Sequence, residues 1–219
     1  MTAYAIVRDR AKPGRDRELF NRLREINAIT PQAPGFRRRT VIGLGGRLYC
    51  TVLEWESFEA LADGRPRNRI IVDAIGEFLE NRGETGVNFA VSGEAVQEWA
   101  RPEVAPPGPI AGRPRAWNVL RYHLKRENRD AADPVARTAL PPAGAAPPDG
   151  LRKTAVVKIG DRGYCVLGEW ESYDQLTVGG PAIIERLEMF RDSLERVPGG
   201  LGVIQASAGT VVDENLAAE

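Results

Sequence analysis

The residues of this chain that could do chemistry begin with one short strand-like run. Asn118, Tyr122 and His123 lie close together on it, and His123 is the only histidine in the chain. Histidine is the side chain whose unperturbed pKa lies near neutrality, so His123 is a candidate for proton transfer. A single histidine at the end of a strand can also have no part in a reaction. Both interpretations stay open.

A tryptophan motif supplies the second set of candidates, because it occurs twice. Residues 49–57 read YCTVLEWES, and residues 164–172 read YCVLGEWES. Side chains alternate between the two faces of a strand, so the tyrosine and tryptophan of each copy share one face and the glutamate lies on the other. The tryptophan face either lines a pocket between sheet and helices or belongs to the core. The candidate substrate contacts on it are Tyr49, Trp55, Tyr164 and Trp170.

Glu54 and Glu169 lie on the opposite strand face. A buried carboxylate needs a partner, and neighbouring strands offer Arg37, Arg121 and Arg152. Structural pairing and general-base catalysis are the two alternatives for these glutamates.

Two cysteines, Cys50 and Cys165, occupy equivalent positions of the two motif copies. They are expected to be buried thiols, with an intrachain disulfide as the alternative. Two thiols and one histidine make a poor metal site, so no metal is expected. No Ser-His-Asp order, phosphate-binding glycine loop or zinc-type spacing occurs, and no cofactor is expected.

Composition excludes further classes of function. The 30 basic and 30 acidic residues cancel, which argues against a nucleic-acid partner held by a general positive field. No apolar run approaches the roughly 20 residues of a membrane helix. The N-terminus enters a strand-like run without a signal-peptide pattern, so we expect a cytoplasmic protein.

The repeated motif is part of a tandem duplication of the whole chain. An offset of 115 positions also aligns Gly35 with Gly150 and Pro66 with Pro181. Repeats of this length are domains and not solenoid units. We predict a first repeat at 1–100, a proline-rich linker at 101–115 and a second repeat at 116–219.

Each repeat is predicted to be α+β with the order β-α-β-β-α-β. This is the ferredoxin-like pattern, an antiparallel sheet with both helices on one face. Two such sheets packed face to face would form an intrachain pseudo-dimer, and a further homodimer stays open. The boundaries predicted in the first repeat are strands at 3–8, 36–44, 48–55 and 87–91, a helix at 15–29, and a second helix that starts after Ser57, breaks at 64–66 and restarts at Arg67.

The second repeat departs from the first at two places. Its first helix is degenerate, because prolines leave room for about two turns before Leu140. The pattern Gly179-Gly180-Pro181 predicts a break in its second helix. Gly168 replaces Leu53 and leaves space beside Trp170, so the sequence predicts that the working pocket lies in the second repeat.

The segments LEWESFEAL at 53–61 and GEWESYDQL at 168–176 resemble the strand-to-helix region of the antibiotic biosynthesis monooxygenase family. The resemblance implies a dimeric α+β barrel. It also implies a cofactor-independent oxygenase in which the deprotonated substrate reduces dioxygen itself. The haem-degrading members carry a histidine on the second helix. This chain has none there, so haem is not expected.

On that resemblance, Trp170 would wall the pocket, Asn118 would hold the substrate oxygen, and Tyr122 or His123 would assist proton removal. The substrate would be an aromatic polyketide-like phenol, anthrone or hydroquinone, with dioxygen as the second reactant. The alternative is a non-catalytic binding or structural protein in which both tryptophans are core residues.

Overall fold

A computed structural model describes residues 1–80, 89–102, 114–141, 146–196 and 202–216 of the chain. The chain divides into two compact units. The first unit contains residues 1–94 and 211–219, and the second contains residues 95–210. Residues 103–113 of the predicted linker lie outside the described residues. The assignment of 101–115 as a linker therefore stays a prediction.

Within its described residues, the first unit contains an antiparallel sheet and three α-helices. Its sheet neighbours follow the order β4-β1-β3-β2-β8, where the end of the last strand completes the row. The elements of this unit are β1 (Ala3–Arg10), α1 (Asp16–Ile29), β2 (Phe36–Gly43), β3 (Leu48–Trp55), α2 (Phe58–Asp63), α3 (Arg65–Ile75), the first half of β4 (Phe89–Ala100) and the end of β8 (Ile204–Leu216).

The second unit repeats this plan with a reduced first helix. Its sheet neighbours follow the order β8-β5-β7-β6-β4. The elements that it adds are β5 (Ala116–His123), α4 (Ala132–Thr138), β6 (Leu151–Ile159), β7 (Gly163–Trp170) and α5 (Tyr173–Glu188). Helix α4 has 7 residues, whereas α1 of the first unit has 14. The α+β class is confirmed, and the packing of two sheets face to face stays a proposal.

A serine caps the helix at both strand-to-helix junctions. The Ser57 hydroxyl accepts a hydrogen bond from the Ala60 backbone N–H, and Ser172 accepts one from Gln175. The break at Gly64 separates α2 from α3 as expected. The predicted break at Gly179-Gly180-Pro181 was wrong, because α5 continues through Pro181. The residue before this proline is a glycine, which has no Cβ to clash with the proline ring.

The final strand of each repeat is longer than predicted. Strand β4 continues to Ala100 and β8 to Leu216, where the sequence predicted ends at 91 and 208. The extra residues include Asp213 and Glu214, two charged residues of a kind that is typical of a solvated tail. Both carboxylates instead pair with arginines of β2. Each long strand therefore divides its residues between the two units.

Glu54 and Glu169 are buried and paired, as one of the two alternatives predicted. Glu54 pairs with Arg38 and Glu169 pairs with Arg115, two arginines that the sequence analysis did not name. A β-bulge at Arg37 shifts the register and turns Arg38 toward Glu54. Cys50 and Cys165 are both buried thiols. Within the described residues, none of the helices is long and apolar enough to span a membrane.

Candidate functional site

A cavity of about 260 Å³ lies within the first unit. Its walls come from β1 and β3 on the sheet and from α1 and α3 on the helices. This volume is slightly below the range of roughly 300–1,000 Å³ that is usual for ligand sites, so it suits a small molecule. The apolar part of the lining consists of Ala5, Val7, Leu23, Phe36, Leu53, Leu61, Ile71, Val72, Ile75, Ala90 and Val91.

Two buried arginines give this apolar cavity a charged end. Arg67 of α3 is 8% exposed, and Arg39 of β2 is 5% exposed. The Arg67 guanidinium donates hydrogen bonds to the Pro31 carbonyl oxygen at 2.7 Å and to Asn27 Oδ1 at 3.2 Å. It also lies over the Phe36 ring, 5.6 Å from the centroid. These contacts fix the cation in place, and all of them are with neutral groups.

Arg39 is held by a carboxylate from the end of the chain. Its Nη2 donates a 2.6 Å hydrogen bond to Asp213 Oδ2, while Arg24 Nε lies 3.1 Å from Asp213 Oδ1. The Nε and Nη1 atoms of Arg39 are buried and hydrogen bond to no described residue. Asp213 therefore balances only part of the positive charge near the cavity.

Burial is the main cause that lowers the pKa of both cavity arginines. The positive charge of a neighbouring arginine lowers each pKa further. The pKa of Arg67 is lowered by desolvation and then by the charge of Arg39. The pKa of Arg39 is lowered by desolvation, while Asp213 opposes that change. The two guanidinium groups are thus close enough to repel each other. A negative group in the cavity would relieve this repulsion.

One row of three cross-strand neighbours explains why the cavity is in this unit. In the first unit the row is Ala5, Leu53 and Arg39. The matching row of the second unit is Asn118, Gly168 and Thr154. Ala5 and Leu53 are half-buried and line the cavity, whereas Asn118 and Thr154 are at most 4% exposed.

The Asn118 side chain occupies the space that Gly168 leaves open. A Cβ on Gly168 would lie 2.3 Å from Asn118 Oδ1. Asn118 Oδ1 accepts a 2.6 Å hydrogen bond from Trp170 Nε1. Trp170 is fully buried, with Gly179 of α5 against its ring. The expected pocket beside Trp170 is therefore filled by core side chains, which differs from the sequence expectation.

The other candidate residues of the second unit form no open site around Trp170. They are Tyr122, Tyr164 and His123. Tyr122 is fully buried, stacks on Tyr164 with ring centroids 5.4 Å apart, and has a pKa raised by burial. His123 lines a separate surface depression of about 360 Å³ with charged neighbours that include Arg126 and Arg162. Burial and then Arg121 lower the pKa of His123.

In the first unit, Trp55 and Tyr49 lie next to the cavity wall without belonging to it. Trp55 is fully buried, and its ring contacts Phe36 edge-on at 5.3 Å between centroids. Tyr49 donates a short hydrogen bond to Asp16 and contacts the Phe20 ring. Thr51 and Leu53, which share their strand face, do line the cavity.

Tyr49 provides a pH-dependent test of this packing. Burial, and then the hydrogen bond to Asp16, raise its pKa to about 12 from the usual 10.0. The contribution of protonated Tyr49 to the free energy of unfolding is therefore fully present below pH 10 and is lost as the pH rises through about 12. We expect wild type to lose more stability than Tyr49→Phe across that interval, measured as urea midpoints. Asp16→Asn should lower the Tyr49 pKa, and identical pH profiles for all three proteins would contradict this.

The sequence did not identify the two cavity arginines as site residues. Arg39 belongs to the run Arg37-Arg38-Arg39, of which only Arg37 was named from the sequence, as a possible partner of a buried glutamate. The β-bulge in this run places Phe36 and Arg39 on the same face, which simple alternation does not predict. The exchange of Ala5 for Asn118 was the available signal, because a small residue leaves space that a larger one fills.

Comparisons with solved structures identify the fold. A provisionally named monooxygenase from Fusobacterium nucleatum subsp. nucleatum ATCC 25586 is 8% identical, with a TM-score of 0.68 over 98% of this chain and 94% of that chain. An anthrone oxidase-like protein is 15% identical, with a TM-score of 0.65 over 100% and 94%.

A third structure belongs to a different class of enzyme. A point mutant of chlorite dismutase from Candidatus Nitrospira defluvii is 11% identical, with a TM-score of 0.58 over 97% of this chain and 91% of that chain. At these identities the similarity concerns the fold alone. No family model matches the sequence. A search of curated proteins also found no match.

Proposed function

We propose that this chain is a cofactor-independent oxygenase that acts on a small aromatic phenol, anthrone or hydroquinone, with dioxygen as the second reactant. The observation that carries the proposal is the first-unit cavity, which combines an apolar lining with two buried guanidinium groups. The similarity in fold to an anthrone oxidase-like protein supports the same class of reaction.

The lining suits a planar aromatic ring that becomes an anion during the reaction. Aliphatic side chains of α3 and the Phe36 ring exclude water from the ring, and Arg39 and Arg67 stabilise a developing oxyanion. Such stabilisation is strong in a site of low dielectric constant, where the donors are already oriented. Asp9 is the carboxylate on the cavity lining, and it is the candidate base.

For an anthrone, the reaction can be written with every atom accounted for. Asp9 takes a proton from the methylene carbon, and the negative charge moves to the carbonyl oxygen. The carbanion transfers electrons to dioxygen, a C–O bond forms, and the peroxide anion takes back the proton from Asp9 to give a hydroperoxide. Asp9 then removes the remaining C–H proton, the O–O bond breaks, the departing hydroxide takes that proton and leaves as water, and the methylene carbon becomes a carbonyl. The substrate is oxidised by four electrons and dioxygen is fully reduced.

Oxygen uptake by the full chain tests this proposal. With anthrone, we expect one dioxygen consumed for each anthrone, anthraquinone as product, and no accumulation of hydrogen peroxide. Asp9→Asn should lower kcat by about tenfold or more, because it removes the base. Asp73→Asn, an exposed carboxylate of α3, is the matched control and should retain activity.

A specific result would favour the alternative of a non-catalytic binding protein. That result is saturable binding of aromatic ligands in the cavity together with uptake no faster than spontaneous autoxidation. The variant Asn118→Ala tests which of the two units carries the reaction. A loss of turnover in this variant, without loss of thermal stability, would assign the reaction to the second unit and contradict the first-unit site.

A further inference from the structure

The two arginines of the cavity have different sets of partners. Every hydrogen bond that Arg67 donates within the described residues goes to a neutral acceptor, namely Pro31 and Asn27. Arg39 has one carboxylate partner in the described part of the chain, Asp213, which it shares with Arg24. Arg24 is well exposed, so water screens its charge.

The two buried guanidinium groups at this end of the cavity differ in the charge of their partners. Arg39 pairs with the Asp213 carboxylate, whereas both hydrogen bonds of Arg67 go to neutral acceptors. Asp9, which is half-buried, and Arg65, which is exposed, also line the cavity. Within the described residues, Arg67 is therefore a buried cation with no carboxylate among its hydrogen-bond partners.

Burying a charge without a counter-charge is costly, and proteins normally supply a partner for it. The Nε and Nη1 groups of Arg39 are buried without a hydrogen-bond acceptor among the described residues. Such donors leave a large penalty unless a partner binds. The site thus has room for one negative group with at least two acceptor positions.

We propose that the cavity selects small aromatic monoanions, whose carboxylate is held by Arg39 and Arg67 while the ring lies against the apolar lining. The two oxygens of a carboxylate match guanidinium donors in geometry. This inference rests on the proposed function in taking the cavity as the substrate site. It narrows the substrate to a phenol or anthrone whose carboxylate lies beside the oxygen that becomes the oxyanion, so that both groups face Arg39 and Arg67.

Calorimetric titration of the full chain with 2-naphthoate and with 2-naphthamide tests the inference without any reaction. The two probes have the same shape and differ in charge. We expect 2-naphthoate to bind about tenfold or more tightly, as hydrogen bonds to charged groups imply. Benzoate and benzamide form a smaller pair for the same comparison. Equal affinities within both pairs, or no binding of either carboxylate, would overturn the inference.

Variants then locate the binding group. Arg67→Met should weaken 2-naphthoate binding about tenfold or more and leave 2-naphthamide binding little changed. Arg69→Met on the same helix is the matched control, because Arg69 is exposed and pairs with Asp73. Equal weakening by both variants would assign the effect to general charge and contradict the inference. Selective carboxylate binding without oxygen uptake would refute the oxygenase function alone.

Discussion

Ala5→Phe should abolish oxygen uptake while the protein keeps its fold. Ala5 is half-buried on the sheet wall of the cavity, next to Leu53. A phenyl ring at this position would enter the space that the substrate needs. Displacing the substrate from its reactive position is expected to lower kcat/KM by about two orders of magnitude or more.

The stability of this variant distinguishes a cavity from a packed core. Adding bulk to a well-packed core costs about 1–3 kcal/mol, but a ring that fills existing space avoids most of this cost. Asn118→Phe introduces the same phenyl ring at the matching position of the second unit, where Asn118 is packed against Gly168 and Trp170. Thermal melting should therefore show a small change for Ala5→Phe and a large loss for Asn118→Phe.

An activity control for this experiment is Ala28→Phe, which adds the same ring at an exposed position of α1. Full activity in Ala28→Phe and loss in Ala5→Phe would link the effect to the cavity. If Ala5→Phe turned over anthrone at the wild-type rate, the reaction would have to take place elsewhere in the chain.

Asp213→Asn is expected to produce a large loss of stability. The Asp213 side chain is 8% exposed and lies against the buried Arg39 guanidinium. Asparagine keeps the shape and removes the charge, which leaves Arg39 buried without a counter-ion. Breaking a buried ion pair in this way costs about 3–5 kcal/mol. Urea unfolding with a probe in the first unit, such as Trp55 fluorescence, measures the loss.

The exposed pair Arg69–Asp73 provides the matched control. Asp73→Asn removes the same charge from an i,i+4 pair on the helix surface, where such pairs are worth about 0.3–0.5 kcal/mol. The double variant Arg39→Met with Asp213→Leu should recover much of the stability, because neither charge of this pair is then left buried without the other. Similar costs for Asp213→Asn and Asp73→Asn would refute the assigned importance of the buried pair.

Much of the architecture could be predicted from local patterns. The helix predicted at 15–29 is α1, and the second helix of the first repeat starts after Ser57 as predicted. Strand alternation placed Thr51 and Leu53 on the face where the cavity lies. These features depend on residues near one another in sequence, so short-range rules were enough.

The location of the site depended on contacts between distant residues. Gly168 alone suggested an open space, but Asn118 fills it from the neighbouring strand. Arg67 is oriented by the Pro31 carbonyl oxygen, which belongs to a loop whose path no local pattern specifies. Arg39 requires both a bulge and a carboxylate 174 positions away. Physical contacts of this kind appear only once the strand register is known.

The division of β4 and β8 between the two units constrains how this gene can change. A chain cut near residue 100 would leave each half with one strand segment that belongs to the other half's unit. The first repeat would also lose Asp213, the partner of Arg39. A mutation in the codon for Asp213 can therefore alter a cavity lined by residues 5–92. Because each half of the chain supplies a strand segment to the other half's unit, deleting either half would remove part of both units.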